Sequence, residues 1–542
     1  MTKTPRPVLL AIALAIGAVA FAQQAWVSPT NFGGADEWLL LDLSSRGIFA
    51  VPYANRPLVL LGQAPPARLL PGDLRGFWLF TTLYFAVTGA LTAWLALRLA
   101  PGARGLALLA GVATVAWAPL DYLRLDTVLI CGYAGFTLAA VVALSLFVEA
   151  WHRNRFTLLA AGMALALVAA LGVESVLPVL ALAPILIGSG WRRDPRRFSQ
   201  WTLAWMAVLT AGAGLTLGPL LLGWPSYQTG ALGLDPSPLR VGGRVLQLAG
   251  MQIGPLLTSS PRELAAPAVL LAVLVFLGGF AGLRLAGGPS AERDPGRAPI
   301  GFVMAVGVLL TASAHVTLAL TPAIRTPART QVLSAPGFGL VLAATITALA
   351  QLAGSRWRPV VAATLGAWVV AVGTGRVVAM QGVWDASRSA YPAQAATLSA
   401  LVRVAPGLEP GSLVLLLDDA GGWPMTFTFR HALRYLYGDG VVGVVHGGAD
   451  FLYPWRATGQ GILVEPWPVI RGAWQVTPTL HPWDTILVVR RGADGRLAVL
   501  PSWPAGVLPP LPSGARYAPE ARIRPTPVRE RERRVLAARG PR

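Results

Sequence analysis

The sequence predicts an all-α polytopic membrane bundle of about eleven transmembrane helices with a smaller C-terminal α/β domain. Three observations lead to this fold class. The 542 residues are 54% hydrophobic and only 13% charged, whereas an ordinary soluble domain is about one quarter charged. Apolar segments of near-spanning length recur up to residue 380. From Asp385 onward no segment is long and apolar enough to span, and short strand-like runs take their place.

Eleven apolar segments are predicted to cross the membrane. They are residues 7–25, 74–97, 105–120, 127–148, 156–173, 175–190, 201–222, 264–283, 300–320, 333–353 and 359–380. The first also ends in a signal-peptidase-like Ala20-Phe21-Ala22, but its length favours retention. With the N-terminus inside, the inner connections carry 15 Lys and Arg against nine in the longer outer loops. This excess predicts a cytoplasmic N-terminus and a first outer loop at residues 26–73.

Net charge and cysteine content exclude several other classes of protein. The formal charge of +19 comes from arginines that flank apolar segments, so membrane topology explains it better than nucleic-acid binding. Cys131 is the only cysteine, which rules out an intrachain disulfide and a cysteine-built metal site. The five histidines show no metal-binding spacing. No metal ligand set is therefore predicted.

The first outer loop opens with an acidic pair, Asp36-Glu37, in Gly33-Gly34-Ala35-Asp36-Glu37-Trp38. An amphipathic helix is expected over Trp38 to Phe49, and Asn55-Arg56-Pro57 follows. Two interpretations are open. The carboxylates cap the helix at its positive end, or one of them is a catalytic base that faces a substrate at the membrane boundary. Helical geometry turns neighbouring side chains about 100° apart, so only one of the two would face the substrate.

Other ionisable residues are predicted at the outer boundary, where they are costly unless paired or functional. Asp121, Arg124 and Asp126 lie in the turn between the third and fourth spans, and their structural alternative is a local ion-pair and capping arrangement. Glu174 lies between the fifth and sixth spans and has a capping alternative. Arg325 and Arg329, between the ninth and tenth spans, are either interfacial anchors or clamps for a lipid phosphate.

The C-terminal part is predicted as an extracytoplasmic α/β domain over residues 381–501. Candidate elements are a strand at 412–417, a helix at 427–437, a strand at 441–445 and a hairpin formed by 485–489 and 497–500. Asp418-Asp419 ends the first strand, and a turn is favoured over a divalent-cation site. Residues 502–542 are rich in proline and arginine, which predicts a disordered tail. The membrane domain is accordingly assigned to residues 1–380.

The first loop resembles that of polytopic glycosyltransferases of the GT-C fold, which include protein mannosyltransferases and aminoarabinose transferases of lipid A. In that superfamily an acidic residue or Asp-Glu pair follows the first span and is the candidate base, and here Asp36-Glu37 holds that place. Asn55-Arg56-Pro57-Leu58 is also similar to the stretch that follows in bacterial members. The resemblance covers the topology of residues 1–380. It implies a multi-pass protein of a bacterial inner membrane that acts at the outer face.

Together these features predict an inverting glycosyltransferase with Asp36 or Glu37 as the catalytic base. The donor would be a sugar on a polyprenyl phosphate, and the acceptor a lipid, a polysaccharide or a protein. The expected donor-binding residues are Arg56, Asp121, Arg124, Asp126, Glu174, Arg325 and Arg329. No cofactor is required, dependence on a divalent cation is left open, and membrane lipids but no nucleic acid are expected as partners. Two alternatives remain, a transporter or flippase of lipid-linked glycans and a non-catalytic assembly factor.

Overall fold

The fold is taken from a computed structural model of the chain. It describes residues 6–34, 36–47, 56–188, 190–222, 237–287, 297–320, 327–387, 390–423, 425–448, 453–465 and 478–537. These residues form a helical membrane domain and a smaller C-terminal domain that contains all nine described strands.

The membrane domain consists of sixteen described helices in chain order. They are α1 (Arg6–Gln24), α2 (Glu37–Ser45), α3 (Ala64–Leu69), α4 (Leu74–Leu99), α5 (Arg104–Val115), α6 (Thr127–Arg153), α7 (Phe156–Gly172), α8 (Leu177–Leu180), α9 (Gly190–Arg193), α10 (Pro195–Leu221), α11 (Pro238–Thr258), α12 (Pro261–Leu264), α13 (Pro267–Gly287), α14 (Arg297–Ala319), α15 (Pro327–Leu352) and α16 (Gly354–Ser387).

Eight of these described helices are long and apolar enough to cross a membrane: α1, α4, α6, α10, α13, α14, α15 and α16. The other three predicted spans are shorter apolar elements, namely α5, α7 and the broken segment at residues 174–187. The prediction of a multi-pass helical bundle is therefore confirmed, whereas a count of eleven full-length spans is not.

Close backbone packing holds the membrane domain together. A Cβ added to Gly337 of α15 would lie 2.8 Å from the carbonyl oxygen of Gly307 in α14, so these two helices touch backbone to backbone. Small residues at such crossings let helices approach closely in lipid. On α1, the residues Val8, Ile12 and Ile16 form one buried face, and α1 packs against α4, α5 and α13. The first apolar segment is therefore an integral part of the bundle.

Two loops of the membrane domain differ from the sequence expectation. The helix expected over Trp38 to Phe49 begins at Glu37 and ends at Ser45, and Phe49 lies outside the described residues. Every residue from Glu37 to Ser44 is buried, because α2 is enclosed by its neighbours rather than lying on a surface. The second difference is α11, a 21-residue helix within the predicted outer loop 223–263.

The C-terminal domain combines helices with a mixed sheet. Its helices are α17 (Tyr391–Val404), α18 (Thr426–Tyr437) and α19 (Glu530–Arg533), and its strands are β1 (Gly407–Leu408), β2 (Leu413–Asp418), β3 (Val442–Val445), β4 (Trp455–Thr458), β5 (Gly461–Val464), β6 (Thr479–Pro482), β7 (Ile486–Arg491), β8 (Leu497–Val499) and β9 (Ile523–Arg524). The main sheet has the order β3-β2-β7-β8, and β2 runs parallel to both β3 and β7. Its elements fall at the positions expected from the sequence, including the β7–β8 hairpin.

Residues 502–537 fold back onto this domain instead of forming a disordered tail. Strand β9 pairs with β1, and the side chains of Leu508, Val528 and Val535 are buried. The hydroxyl of Tyr391 donates a hydrogen bond to the carbonyl oxygen of Val535. A few well-spaced apolar residues are sufficient to pack a chain whose composition otherwise predicts disorder.

Candidate active site in the first loop

The acidic loop, defined as residues 28–37, connects α1 to α2 and is anchored first by α16. The side-chain amide of Gln381 pairs with that of Asn31 through two hydrogen bonds of 2.7 and 3.0 Å. The backbone N–H of Ser28 donates to the same Gln381 oxygen at 3.1 Å. Asn31 and Gln381 are both buried. The start of the acidic loop is thereby fixed to a membrane-spanning helix.

A second anchor comes from Gln394 of α17. Its amide nitrogen donates to the carbonyl oxygen of Gly33 at 3.1 Å, and its amide oxygen accepts from Nε1 of Trp38 at 2.8 Å. Gly33 has a φ of +96°, and a Cβ there would lie 2.5 Å from the Gln394 oxygen. Only glycine meets both demands. Gln394 therefore holds the loop on either side of the acidic pair.

The third anchor is the N-terminus of α6. The backbone N–H of Thr127 donates to the carbonyl oxygen of Asn31 at 2.9 Å, and that of Val128 donates to Oε1 of Glu37 at 3.1 Å. Oε2 of Glu37 accepts from the backbone N–H of Gly34 at 3.3 Å. The first N–H groups of a helix have no partner within the helix, and a carboxylate there is favoured by the helix dipole. Glu37 thus begins α2 and caps α6.

The two carboxylates of the acidic pair have different surroundings. Glu37 is 1% exposed, and both of its oxygens accept backbone hydrogen bonds. Asp36 is partly exposed and occupies the N-cap position of α2, where its side chain makes no capping hydrogen bond. Asp36 is therefore the member of the pair that solvent or a substrate can reach.

Burial has a measurable consequence for Glu37. Burial raises the pKa of Glu37 from its ordinary value of 4.5 to about 7, although hydrogen bonds from backbone N–H groups oppose the rise. Between these pH values the folded state holds a proton that the unfolded state has lost, so stability falls as the pH rises. We expect Glu37→Gln, which stays neutral, to lose this slope. Thermal unfolding of the detergent-solubilised protein from pH 4.5 to 7 measures it.

The buried side chain of His431 also contributes to the pH dependence of stability in this range, so it must be the same in the two proteins that are compared. Burial lowers the pKa of His431 to about 4, even though its neighbour Asp42 raises it. Below about pH 6.5 the unfolded state therefore binds more protons than the folded state, and stability falls as the pH drops. This slope has the opposite sign and is present in both proteins. Parallel profiles for the wild type and Glu37→Gln would show that Glu37 does not titrate in this range.

The far end of α2 is fixed to the C-terminal domain through Asp42. This carboxylate is 0% exposed, and its oxygens lie 2.8 Å from Nδ1 of His431 and 2.6 Å from Nε of Arg46. Nε of Arg434, also on α18, lies 3.7 Å away. A buried carboxylate requires such partners. The helix that starts at the acidic pair is thus held at both ends.

The predicted residues Arg56 and Glu174 form one ion pair. Nε and Nη2 of Arg56 donate to the two Glu174 oxygens at 2.6 and 2.5 Å, and the side chains are only 15% and 10% exposed. Close by, the backbone N–H of Leu58 donates to the carbonyl oxygen of Leu171 in α7 at 3.1 Å. The pair therefore joins the end of the first loop to the turn after α7.

The three ionisable residues of the acidic turn, residues 121–126, have different surroundings. Asp121 accepts a hydrogen bond from the backbone N–H of Leu123 at 3.0 Å, which is the predicted capping alternative. Arg124 is 1% exposed, and its guanidinium lies 4.4 Å from the ring centre of Phe85 and donates to Gln24 at 3.0 Å. Asp126 is 6% exposed and immediately precedes α6. It therefore lies at the helix end that Glu37 caps.

The start of α15 lies against this acidic turn. The amide group of Gln331 donates to the carbonyl oxygen of Ala118 at 2.6 Å and accepts from the backbone N–H of Leu120 at 3.0 Å. Arg329 precedes Gln331 by two residues, and its backbone is the third residue of α15. Its side chain lies outside the described part of the chain, as do Asn55 and the whole of Arg325. The acidic loop, the acidic turn and the start of α15 thus converge around the N-terminus of α6.

Sequence reasoning missed four residues that build this site: Gln381, Gln394, Asp42 and His431. Only Asp42 carried a signal, because it is a lone carboxylate within the apolar run Leu39–Leu43. At the end of β2, Asp418 accepts from the backbone N–H of Trp423 at 2.8 Å, as in the predicted turn. Among the described residues, no group of three or more His, Cys, Asp or Glu is placed to hold a metal ion.

No protein-family model matches the sequence, and no curated protein matches it. Among solved structures, the chain is similar to ArnT from Cupriavidus metallidurans bound to undecaprenyl phosphate. The sequence identity is 15% and the TM-score 0.37, and the alignment covers 76% of this chain and 82% of that chain. A likeness of this size leaves the function to be argued from the geometry of the acidic loop.

Proposed function

We propose that this chain is an inverting membrane glycosyltransferase in which Asp36 is the catalytic base. The observation that carries the proposal is the convergence of the acidic loop, the acidic turn and the start of α15 at the N-terminus of α6. Within it, Glu37 is locked as a cap while Asp36 is partly exposed on a loop anchored from three sides. Rigid support of one accessible carboxylate is what general-base catalysis requires.

The proposed reaction is a single displacement at the anomeric carbon of a polyprenyl-phosphate-linked sugar. A hydroxyl oxygen of the acceptor forms the new bond to this carbon as the bond from the carbon to the phosphate oxygen breaks. Asp36 takes the hydroxyl proton, and the bonding electrons leave with the lipid phosphate. The configuration inverts because the acceptor attacks from the side opposite the leaving group. No metal or cofactor enters this scheme.

Glu37 has a positioning role in this proposal. Its hydrogen bonds to Gly34 and Val128 hold the backbone of the acidic loop against α6, so the neighbouring Asp36 carboxylate keeps one orientation. Gln394 supports the same loop from the C-terminal domain. The proposal therefore assigns proton transfer to Asp36 alone.

The leaving phosphate gains negative charge and needs cationic neighbours. Two of the arginines predicted to bind the donor phosphate already contact other protein groups. Arg56 pairs with Glu174, and Arg124 lies buried between aromatic rings and Gln24. Arg325 and Arg329 stay the predicted donor-phosphate ligands, and the contact between α15 and the acidic turn favours this assignment. The acceptor is a lipid, a polysaccharide or a protein at the outer face of a bacterial inner membrane.

Lipid-linked glycan profiling tests this function whatever the identity of the sugar. Cells that lack the protein should accumulate one polyprenyl-phosphate-linked sugar and lose one glycosylated product. The wild-type gene should restore both, whereas a gene that encodes Asp36→Asn should not. A transporter would give a different result, because its loss leaves the donor on the cytoplasmic side and the Asp36→Asn gene would restore the product.

A further inference from the structure

A cavity of about 520 Å³ lies where the C-terminal ends of α2 and α18 meet the chain segment 524–532. Its charged lining residues are Arg46, Arg434, Arg524, Arg529, Arg531 and Glu532. Five guanidinium groups and a single carboxylate therefore line this cavity. The cavity lies at the end of α2 opposite to Asp36, about 13 Å along the helix axis for its nine residues.

Two of these arginines make contacts that stabilise the fold. Arg46 contacts Asp42 and donates to the carbonyl oxygen of Arg434 at the end of α18 at 2.7 Å. Arg434 donates to Asp439 at 2.7 Å, and Arg46 also pairs with this carboxylate. Cations at the C-terminal ends of helices are stabilised by the helix dipole. These contacts explain Arg46 and Arg434 without any ligand.

The three arginines on segment 524–532 differ in how many of their guanidinium donors already have a protein partner. Nε and Nη2 of Arg524 donate to the two carboxylate oxygens of Glu409. Arg531 uses its Nε for a 2.6 Å bond to Glu532. The side chain of Arg529 is exposed and makes no hydrogen bond or ion pair with any other described residue. An unpaired guanidinium in the wall of a positively charged cavity can bind an oxyanion.

The cavity is also close to the membrane domain. A Cβ on Gly72 would clash with the carbonyl oxygen of Arg531 and would lie 2.9 Å from the hydroxyl of Tyr435, and both of these residues line the cavity. Gly72 is two residues before Leu74, where the span α4 begins. The cavity wall thus touches the chain two residues before the predicted span α4.

We infer that this cavity is an oxyanion-binding site, with Arg529 as its principal ligand and Arg531 as a second donor. The ligand carries a phosphate or carboxylate group, which guanidinium groups bind through two parallel hydrogen bonds. Such a group is available from a soluble anion or from a lipid headgroup at the membrane boundary. This site does not depend on the proposed transfer reaction.

Titration of the purified full-length protein tests the site. In neutral detergent, sodium pyrophosphate should raise the unfolding temperature above that in sodium chloride of equal ionic strength. Arg529→Glu should weaken this binding by about tenfold or more, the loss typical of one charge-assisted hydrogen bond. Arg533→Glu is the matched control, because Arg533 is exposed, lies four residues away and is outside the cavity lining. Arg533→Glu makes the same change of charge as Arg529→Glu and should retain pyrophosphate binding.

Lipid nanodiscs separate the two sources of the anion. If the ligand is a headgroup, native mass spectrometry should find phosphatidylglycerol, but not phosphatidylcholine, retained by the wild type and by Arg533→Glu but lost from Arg529→Glu. If it is a soluble anion, only the pyrophosphate effect should depend on Arg529. The inference is overturned if neither ligand binds in an Arg529-dependent manner, or if Arg533→Glu loses as much binding as Arg529→Glu.

Discussion

Replacement of Asp36 by Asn should lower the rate of sugar transfer by about 10²- to 10⁴-fold, the usual contribution of a general base. The asparagine side chain has nearly the same shape but cannot take the acceptor proton at neutral pH. Asp36 is only partly buried, and the amide keeps the size of the carboxylate, so the fold should survive the change. The measurement is transfer by the purified protein in liposomes that contain the donor lipid identified by glycan profiling, with kcat and KM determined separately.

The control for this substitution is Asp73→Asn in the same first loop. Asp73 also occupies a helix N-cap position, that of α4, and accepts from the backbone N–H of Arg75 at 2.9 Å. It should change transfer little, because a neutral amide oxygen still accepts that bond. A base should affect kcat, whereas a residue that only binds substrate should raise KM. Wild-type transfer by Asp36→Asn would refute Asp36 as the base. Wild-type transfer by Glu37→Gln and by the double variant as well would refute any role of the acidic pair.

Local patterns in the sequence predicted much of the fold. Each apolar segment named from hydropathy has a helical counterpart, and β2, α18 and β3 lie close to the strand, helix and strand predicted at 412–417, 427–437 and 441–445. Hydropathy reports burial rather than helix length, and three of the predicted spans, α5, α7 and the broken segment 174–187, are shorter apolar elements than the eight long helices. It also missed α11, whose polar residues lowered the average over the loop.

The candidate site was less accessible to sequence reasoning, because its contacts join distant parts of the chain. Gln394 meets Gly33 across 361 residues, and His431 meets Asp42 across 389. Neither glutamine nor histidine carries a local pattern that names its partner. The position of Asp36-Glu37 after the first span singled out the acidic pair, but only the contacts of Glu37 with Gly34 and Val128 distinguish a cap from an accessible carboxylate.

The ion pair between Arg56 and Glu174 leads to a prediction about stability. Removal of one partner takes the ion pair away from a charge that stays almost buried, and breaking a buried ion pair in this way destabilises proteins by about 3–5 kcal/mol. We expect Arg56→Ala and Glu174→Ala each to show a loss of this size in unfolding by sodium dodecyl sulfate in mixed micelles. The double variant should lose much less than the sum, with a coupling energy near the upper end of about 0.5–3 kcal/mol.

The exposed pair Arg456–Glu465 is the matched control for this cycle. Its N–O distance is 3.2 Å, but the side chains are 68% and 40% exposed, against 15% and 10% for Arg56 and Glu174. Solvent screening should limit its coupling to about 1 kcal/mol or less. A coupling between Arg56 and Glu174 as small as this would mean that the two residues do not hold the first loop to the turn after α7. A coupling that weak would be compatible with the role predicted for Arg56 from the sequence, that of a ligand of the donor phosphate.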